Sequence, residues 1–201
     1  MTEQEKRILR DFFEDDNSFK TAAVRLKAGE PLAYIIGEWY FRNQTYKVTP
    51  DVLVPRPDTE LLVEQLVLIA PDNGYILDLC TGSGCIAIST LCERPDLRGD
   101  AVDISRPAVQ IAGKNAEING VAPRLRIIEA NAENPLLISD LQNYYNRNHN
   151  HNLTDITMTG CMFECNLCNQ QHIHNAVFYK ANAHLDIFFC IAQTQCPHYH
   201  V

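Results

Sequence analysis

Apolar positions near the start of the chain recur with a helical period: Ile8, Leu9, Phe12 and Phe13 fall on one face, and Thr2 and Glu5 have the spacing of a capping box. An amphipathic helix is predicted there. Phe19, Ala22, Ala23 and Leu26 give a second helix its apolar face, with Asn17-Ser18 as the expected cap and Gly29 followed by Pro31 as the stop. From Trp39 to Val54 the pattern changes to aromatic and β-branched residues around Asn43-Gln44, which predicts a β-hairpin stiffened by Pro50, Pro55 and Pro57. A further helix is expected to be capped by Asp58 or Thr59. Its face of Leu62, Leu66 and Ile69, widened by Leu61, would pack on a sheet.

Pro71-Asp72-Asn73-Gly74 reads as the turn into that sheet, and Ile76-Leu77-Asp78-Leu79 as its organising strand, which runs into Cys80-Thr81-Gly82-Ser83-Gly84. Helix-compatible residues follow to about Cys92. A second strand ends at Asp103, Ser105 caps another helix with Pro107 in its first turn, and Asn119-Gly120 ends that helix. Arg124 to Glu129 gives a third strand. Strand, helix, strand, helix, strand is half of a doubly wound parallel sheet with the first strand in its middle, so the expected fold class is α/β and Rossmann-like. The expected organisation is a helical segment over 1–37, a hairpin connector over 38–57, a half-domain over 58–137 and an unassigned tail over 138–201.

The loop after the organising strand carries the candidate chemistry. A glycine pair between a strand and a helix allows a ligand close to the backbone. Gly82-x-Gly84-x-x-Ala87 also fits the dinucleotide fingerprint, in which a helix N-terminus receives a pyrophosphate. Asp78 argues against a pyrophosphate, because a carboxylate at the strand's mouth repels it and attracts an ammonium group. Asp103, about 20 residues beyond the glycines, is placed to accept both hydroxyls of a ribose. Together these features point to S-adenosyl-L-methionine.

Composition narrows the partners. The chain has 201 residues, 46% of them hydrophobic, which suits one ordinary domain with a small appendage. Its formal net charge of -8 gives no electrostatic reason to expect direct nucleic-acid or anionic-membrane binding, and no apolar run has the length of a membrane span. The expected location is the cytoplasm, where the eight cysteines would be reduced thiols.

Residues 27 to 137 resemble the peptide chain release factor N(5)-glutamine methyltransferases, of the class I S-adenosylmethionine-dependent group. The resemblance rests on Gly29-Glu30-Pro31-Leu32-Ala33-Tyr34-Ile35-Ile36-Gly37, on Val54-Pro55-Arg56-Pro57-Asp58-Thr59-Glu60, on the glycine segment and on Ala101-Val102-Asp103-Ile104-Ser105. The glycine segment identifies only the class; the Pro-Arg-Pro-Asp-Thr-Glu run is far more particular. The resemblance implies a class I methyltransferase sheet and methyl transfer to the side-chain amide of the glutamine in the Gly-Gly-Gln loop of release factors. By that resemblance Cys80, Thr81, Gly82, Ser83 and Gly84 form the loop around the methionine part of the cofactor and Asp103 holds the ribose, while Asp78, by the charge argument above, would attract the ammonium group. Ala132 falls where the family has a bulky residue beside the adenine, and Asn131 where it usually has an acid. The family's Asn-Pro-Pro-Tyr tetrapeptide, which accepts from the reacting amide, occurs nowhere in the chain, so no catalytic residue is assigned.

Beyond Leu137 the text changes. All seven histidines and five of the eight cysteines lie there, with only six charged residues. One reading takes the tail as sequence foreign to the family or poorly ordered, with Ile156–Met158, Ala176–Tyr179 and Ile187–Ala192 as possible short strands. A second is a metal site built on Cys161, Cys165 and Cys168 with His172 and His174 nearby. A third is the iron-sulfur spacing of radical S-adenosylmethionine enzymes, although a barrel needs about 250 residues and only 33 follow Cys168.

Overall fold

The computed structural model describes residues 1–132, 134 and 140, together with the backbone of strands over 156–160, 164–165, 170–171 and 176–180. The first helix, α1 (Glu3–Phe12), opens on the expected capping box: Glu5 N–H donates to Thr2 Oγ1 and Thr2 N–H to Glu5 Oε2. Leu9 is its buried residue and packs with Ala22 and Ile35. The second, α2 (Asp16–Lys27), is capped by Asp15 and not by Asn17-Ser18; the N–H groups of those two residues donate to Asp15 Oδ1 at 3.1 and 2.8 Å. An Asx cap serves the donors two and three residues after itself, so the expected cap is in fact what the cap satisfies. A short helix missed in the sequence, α3 (Leu32–Ile36), starts after Pro31 and ends on Gly37 in the left-handed conformation.

The hairpin is shorter than its pattern suggests. Strands β1 (Glu38–Phe41) and β2 (Gln44–Lys47) pair antiparallel, so the turn is Arg42-Asn43 and Gln44 already belongs to the second strand. Residues 48–54 leave the ladder, and Val48 and Val52 pack with Ala33, Ala108 and Ile111. Helix α4 (Thr59–Ile69) buries Leu62, Val63 and Leu66, whereas Leu61 and Ile69 are 51% and 41% exposed. Leu61 lies about a quarter turn from the buried stripe, and Ile69 is the last residue of the helix.

The main sheet contains β3 (Tyr75–Leu79), β4 (Arg98–Asp103), β5 (Leu125–Glu129), β6 (Ile156–Gly160) and, after a small ribbon of β7 (Glu164–Cys165) and β8 (Gln170–Gln171), β9 (Ala176–Lys180). Its order is β5-β4-β3-β6-β9, with β3 in the middle as expected; all neighbours are parallel except β6 and β9. Two of the three tail segments expected as strands are therefore strands, and Ile187–Ala192 lies outside the described residues. Helices α5 (Cys85–Glu93) and α6 (Arg106–Ile118) connect β3 to β4 and β4 to a 3-10 turn (Ala122–Arg124) before β5. Ser105 caps α6 with a proline in its first turn, as expected.

Ile76, Ile88, Leu91, Leu97 and Leu125 form the core with Leu62, Val63 and Leu66 of α4. Apolar burial of this kind contributes roughly 2 kcal/mol per large side chain. The hairpin is fastened to the helices by polar contacts. Arg42 donates from Nε and Nη2 to Glu93 at 2.6 and 3.1 Å, and the Tyr46 hydroxyl meets Ser89 Oγ at 2.6 Å.

Candidate functional site at the mouth of the parallel strands

The chain leaves β3 in one direction toward β4, while β6 lies on the other side of β3. A crevice forms beyond the carboxyl ends of strands at such a reversal of order, and it is where open α/β sheets receive ligands. The glycine loop occupies this place. Its backbone needs three left-handed residues, Cys80 at φ 57, Gly82 at φ 56 and Gly84 at φ 82. Cys80 is the costly member, because its side chain disfavours that region by about 1–2 kcal/mol.

The two glycines answer different demands. A Cβ on Gly84 would stand 2.7 Å from Ile88 Cδ1 and 3.3 Å from Ala112 Cβ, so side chains of α5 and α6 would have to shift to admit one, on top of the strain of a left-handed φ. Among the described residues, a Cβ on Gly82 would meet nothing within 4 Å. Gly82 therefore presents bare backbone to open space, which is the form of a cradle.

Fixed polar contacts hold the loop. Asp78 is fully buried, and its Oδ2 accepts from Thr81 Oγ1 at 2.7 Å and from Ala87 N–H at 3.3 Å. It braces the loop and the first turn of α5 from below, a role the sequence did not suggest. Thr81 N–H donates to Val102 O at 3.0 Å, joining the loop to β4. Asp103, half-buried at the end of β4, accepts Gly82 N–H on Oδ2 and Ser105 N–H on Oδ1, each at 2.9 Å. It thus sets the glycine loop against the start of α6.

Ser83 is buried, and its carbonyl accepts from Asn115 Nδ2 at 2.8 Å. Asn115 is a site residue that the sequence reading passed over, although a signal existed. Ala108, Ile111, Ala112 and Ala116 mark the buried stripe of α6, and Asn115 is the polar residue inside it. Cys85 follows the loop; burial pushes its thiol up to about 12, so it is a packed, protonated group and no nucleophile. Ala132, half-buried, and Asn131, exposed, follow β5, whose end is joined to β4 by Ala130 N–H donating to Asp103 O at 3.0 Å.

Cys161, Cys168, His172 and His174 lie outside the described residues, and of Cys165 only the backbone, in β7, is described. Among the described residues no group of three or more His, Cys, Asp or Glu side chains is arranged to hold a metal ion, and no helix is long and apolar enough to cross a membrane.

A loop of this shape, between a central parallel strand and a helix and pinned by the acid of the next strand, can be compared with known proteins. Residues 56–141 match the family model of the methyltransferase small domain. Over 131 residues the chain is 41% identical to a release factor glutamine methyltransferase of Nitratidesulfovibrio vulgaris, covering 65% of this chain and 44% of the relative. Over 94 residues it is 49% identical to the Neisseria gonorrhoeae protein of the same name, covering 47% of this chain and 34% of that one. The chain thus spans less than half the length of these curated relatives. A solved methyltransferase from Geobacter sulfurreducens, described as S-adenosylmethionine-dependent and in complex with S-adenosyl-L-homocysteine, is similar at a TM-score of 0.34 and 26% identity, over 38% of this chain and 30% of that one. The methyltransferase resemblance read from the sequence is borne out over the matched segments.

Proposed function

We propose that the chain binds S-adenosyl-L-methionine at the mouth of β3 and β4 and serves methylation of the side-chain amide of the glutamine in the Gly-Gly-Gln loop of peptide chain release factors. The observation that carries this reading is the open glycine loop held by Asp103, within a segment similar to release factor glutamine methyltransferases. The residues present fit the cofactor. A carboxylate offers about four acceptor directions, and the two N–H groups on Asp103 leave the others for ribose hydroxyls. Cys80, Thr81, Gly82, Ser83 and Gly84 would surround the methionine part, with Asp78 fixing the loop's shape and Ala132 beside the adenine.

The cofactor would supply a methyl group on a positively charged sulfur. The chain's task is placement, because an amide nitrogen is a poor nucleophile whose attack depends on orientation. With no Asn-Pro-Pro-Tyr in the 201 residues, no group here is assigned to hold that amide. Release factors would be the protein partners, and the cytoplasm the compartment.

Labelled methyl transfer from S-adenosyl-L-methionine to a release factor, located on the Gly-Gly-Gln glutamine, is the expected result. The missing tetrapeptide favours one second reading, a non-catalytic cofactor-binding module. Stoichiometric cofactor binding without transfer selects that reading; absence of both overturns the first and the second.

A further inference from the structure

The hairpin is joined to the glycine loop through one buried side chain. Asn115, fully buried on α6, accepts Lys47 N–H on Oδ1 at 2.7 Å, and its Nδ2 donates to Lys47 O at 3.0 Å and to Ser83 O at 2.8 Å. Both amide hydrogens are thereby used, one on strand β2 and one on the loop. The arrangement leaves little slack. Shifting β2 along α6 breaks the pair of bonds to Lys47 or turns the carboxamide, and turning it takes the Nδ2 hydrogen away from Ser83.

The neighbouring residues make the loop respond to that hydrogen bond. Ser83 lies between Gly82, whose N–H is held by Asp103, and Gly84, which sits in the left-handed region against Ile88 and Ala112. With those two points fixed, the Ser83 carbonyl decides which way the intervening peptide faces. Asn119, the C-cap of α6 four residues further on, offers a comparison within the same interface. Its Nδ2 donates to Thr45 O at 3.1 Å and to Asn115 O at 2.9 Å, holding the hairpin without touching the loop.

We infer that Asn115 is a positioning residue for the cofactor site, coupling the docking of the β1–β2 hairpin to the conformation of the glycine loop, so that hairpin and ligand stabilise one another. This inference rests on the cofactor reading above. Coupling between two sites is reciprocal in binding free energy. A ligand in the loop must therefore tighten the hairpin, and loss of the link must weaken the ligand.

The test uses S-adenosyl-L-homocysteine as probe and the full 201-residue chain. Calorimetric titration is made on the unsubstituted protein, Asn115→Ala and Asn119→Ala, with the thermal midpoint of each recorded. Both substitutions lower the midpoint; only Asn115→Ala is expected to raise the dissociation constant tenfold or more, with Asn119→Ala within twofold. Equal effects on affinity, or none from Asn115→Ala, overturn the inference and leave Asn115 as a packing residue. A second measurement needs no variant: amide hydrogen exchange at Lys47 should slow at least threefold on saturation with the probe. An unchanged Lys47 rate contradicts the coupling even where Asn115→Ala fails to fold. Absence of probe binding to the unsubstituted chain removes the cofactor reading itself, a result distinct from normal binding without coupling.

Discussion

The two ends of the parallel strands are built on opposite principles. At the carboxyl end the chain uses small residues and left-handed backbone, and its side chains reach the loop from beneath or beside it: Asp78 below, Asp103 and Asn115 at the flanks. At the amino end it uses guanidinium groups as plugs. Arg94 donates to Val67 O, Ala70 O and both oxygens of Asp96, and Arg124 donates to Leu91 O, Arg94 O and Leu97 O. Arg126 makes a bidentate pair with the fully buried Asp100 on the next strand. Planar cations that gather unpaired helix carbonyls and carboxylates fasten that end. One end presents a bare glycine loop and the other is tied together by guanidinium contacts, beside a cavity of about 350 Å³ lined by Tyr75, Arg98, Arg124 and Arg126, so substitutions at the two ends should separate binding at the loop from stability.

The largest effect is expected at the amino end. Arg126→Met leaves Asp100 buried without its cation, and loss of one partner of a buried pair costs about 3–5 kcal/mol. Chemical denaturation should show this loss. Gly84→Ala comes next, at about 2–3 kcal/mol, from the left-handed penalty and the crowding of Ile88 and Ala112. It should also abolish probe binding, which Arg126→Met should not do when the folded fraction is taken into account. Arg94→Met is expected to cost about 2 kcal/mol through its charge-assisted bonds, with probe affinity unchanged. An Arg94 variant that loses affinity in the folded state would break the comparison.

The smallest effects are in pH dependence. The Arg94 guanidinium, aided by the Asn73 N–H, holds the Asp96 carboxyl well below the usual carboxylate range. A lowered folded pKa means that the unfolded chain binds the proton more readily, so this contribution is complete above about pH 4 and is lost as pH falls toward the folded value. Burial raises the Cys85 thiol to about 12, and Tyr46 is also raised by burial. For these groups the sign is reversed: their contribution is complete below the unfolded thiol value of about 8.5 and is lost as pH rises through that of the folded state. Thermal midpoints against pH should fall at both extremes. Asp96→Asn should flatten the acid limb, and Cys85→Ala should reduce the alkaline one.

Much of the open end was legible in the sequence because its chemistry is local. Gly82 and Gly84 stand beside the strand that needs them, Ser105 and Pro107 announce α6, and Asp103 ends its strand where a ribose acceptor is expected. The role of Asp78 was harder to read. A carboxylate at a strand's end carries no mark of the hydroxyl and amide that Asp78 Oδ2 holds beneath the loop. The amino end was hardly legible at all, since Arg94 and Arg124 find their carbonyls 23 to 33 residues away and the pattern of apolar positions contains no such information. Asn115 stands between these cases, its phase on α6 visible in the sequence and its partners at Lys47 and Ser83 visible only in the fold.

The pairing of β6 with β3 is not specified by the local sequence pattern. It is the neighbour that gives the central strand its second partner and creates the reversal of order at which the loop sits. Apolar runs in the tail suggested strands, but pairing across that sequence distance depends on the whole sheet.

The most direct measurement of the central claim is titration of S-adenosyl-L-homocysteine into the 201-residue chain, beside Asp103→Ala and Arg94→Met. The account predicts one saturable site with a dissociation constant below about 1 mM, the upper end of usual Michaelis constants. It also predicts at least tenfold weakening in Asp103→Ala and none in Arg94→Met. No saturable binding by the unsubstituted chain, or equal weakening by the two substitutions, would contradict it.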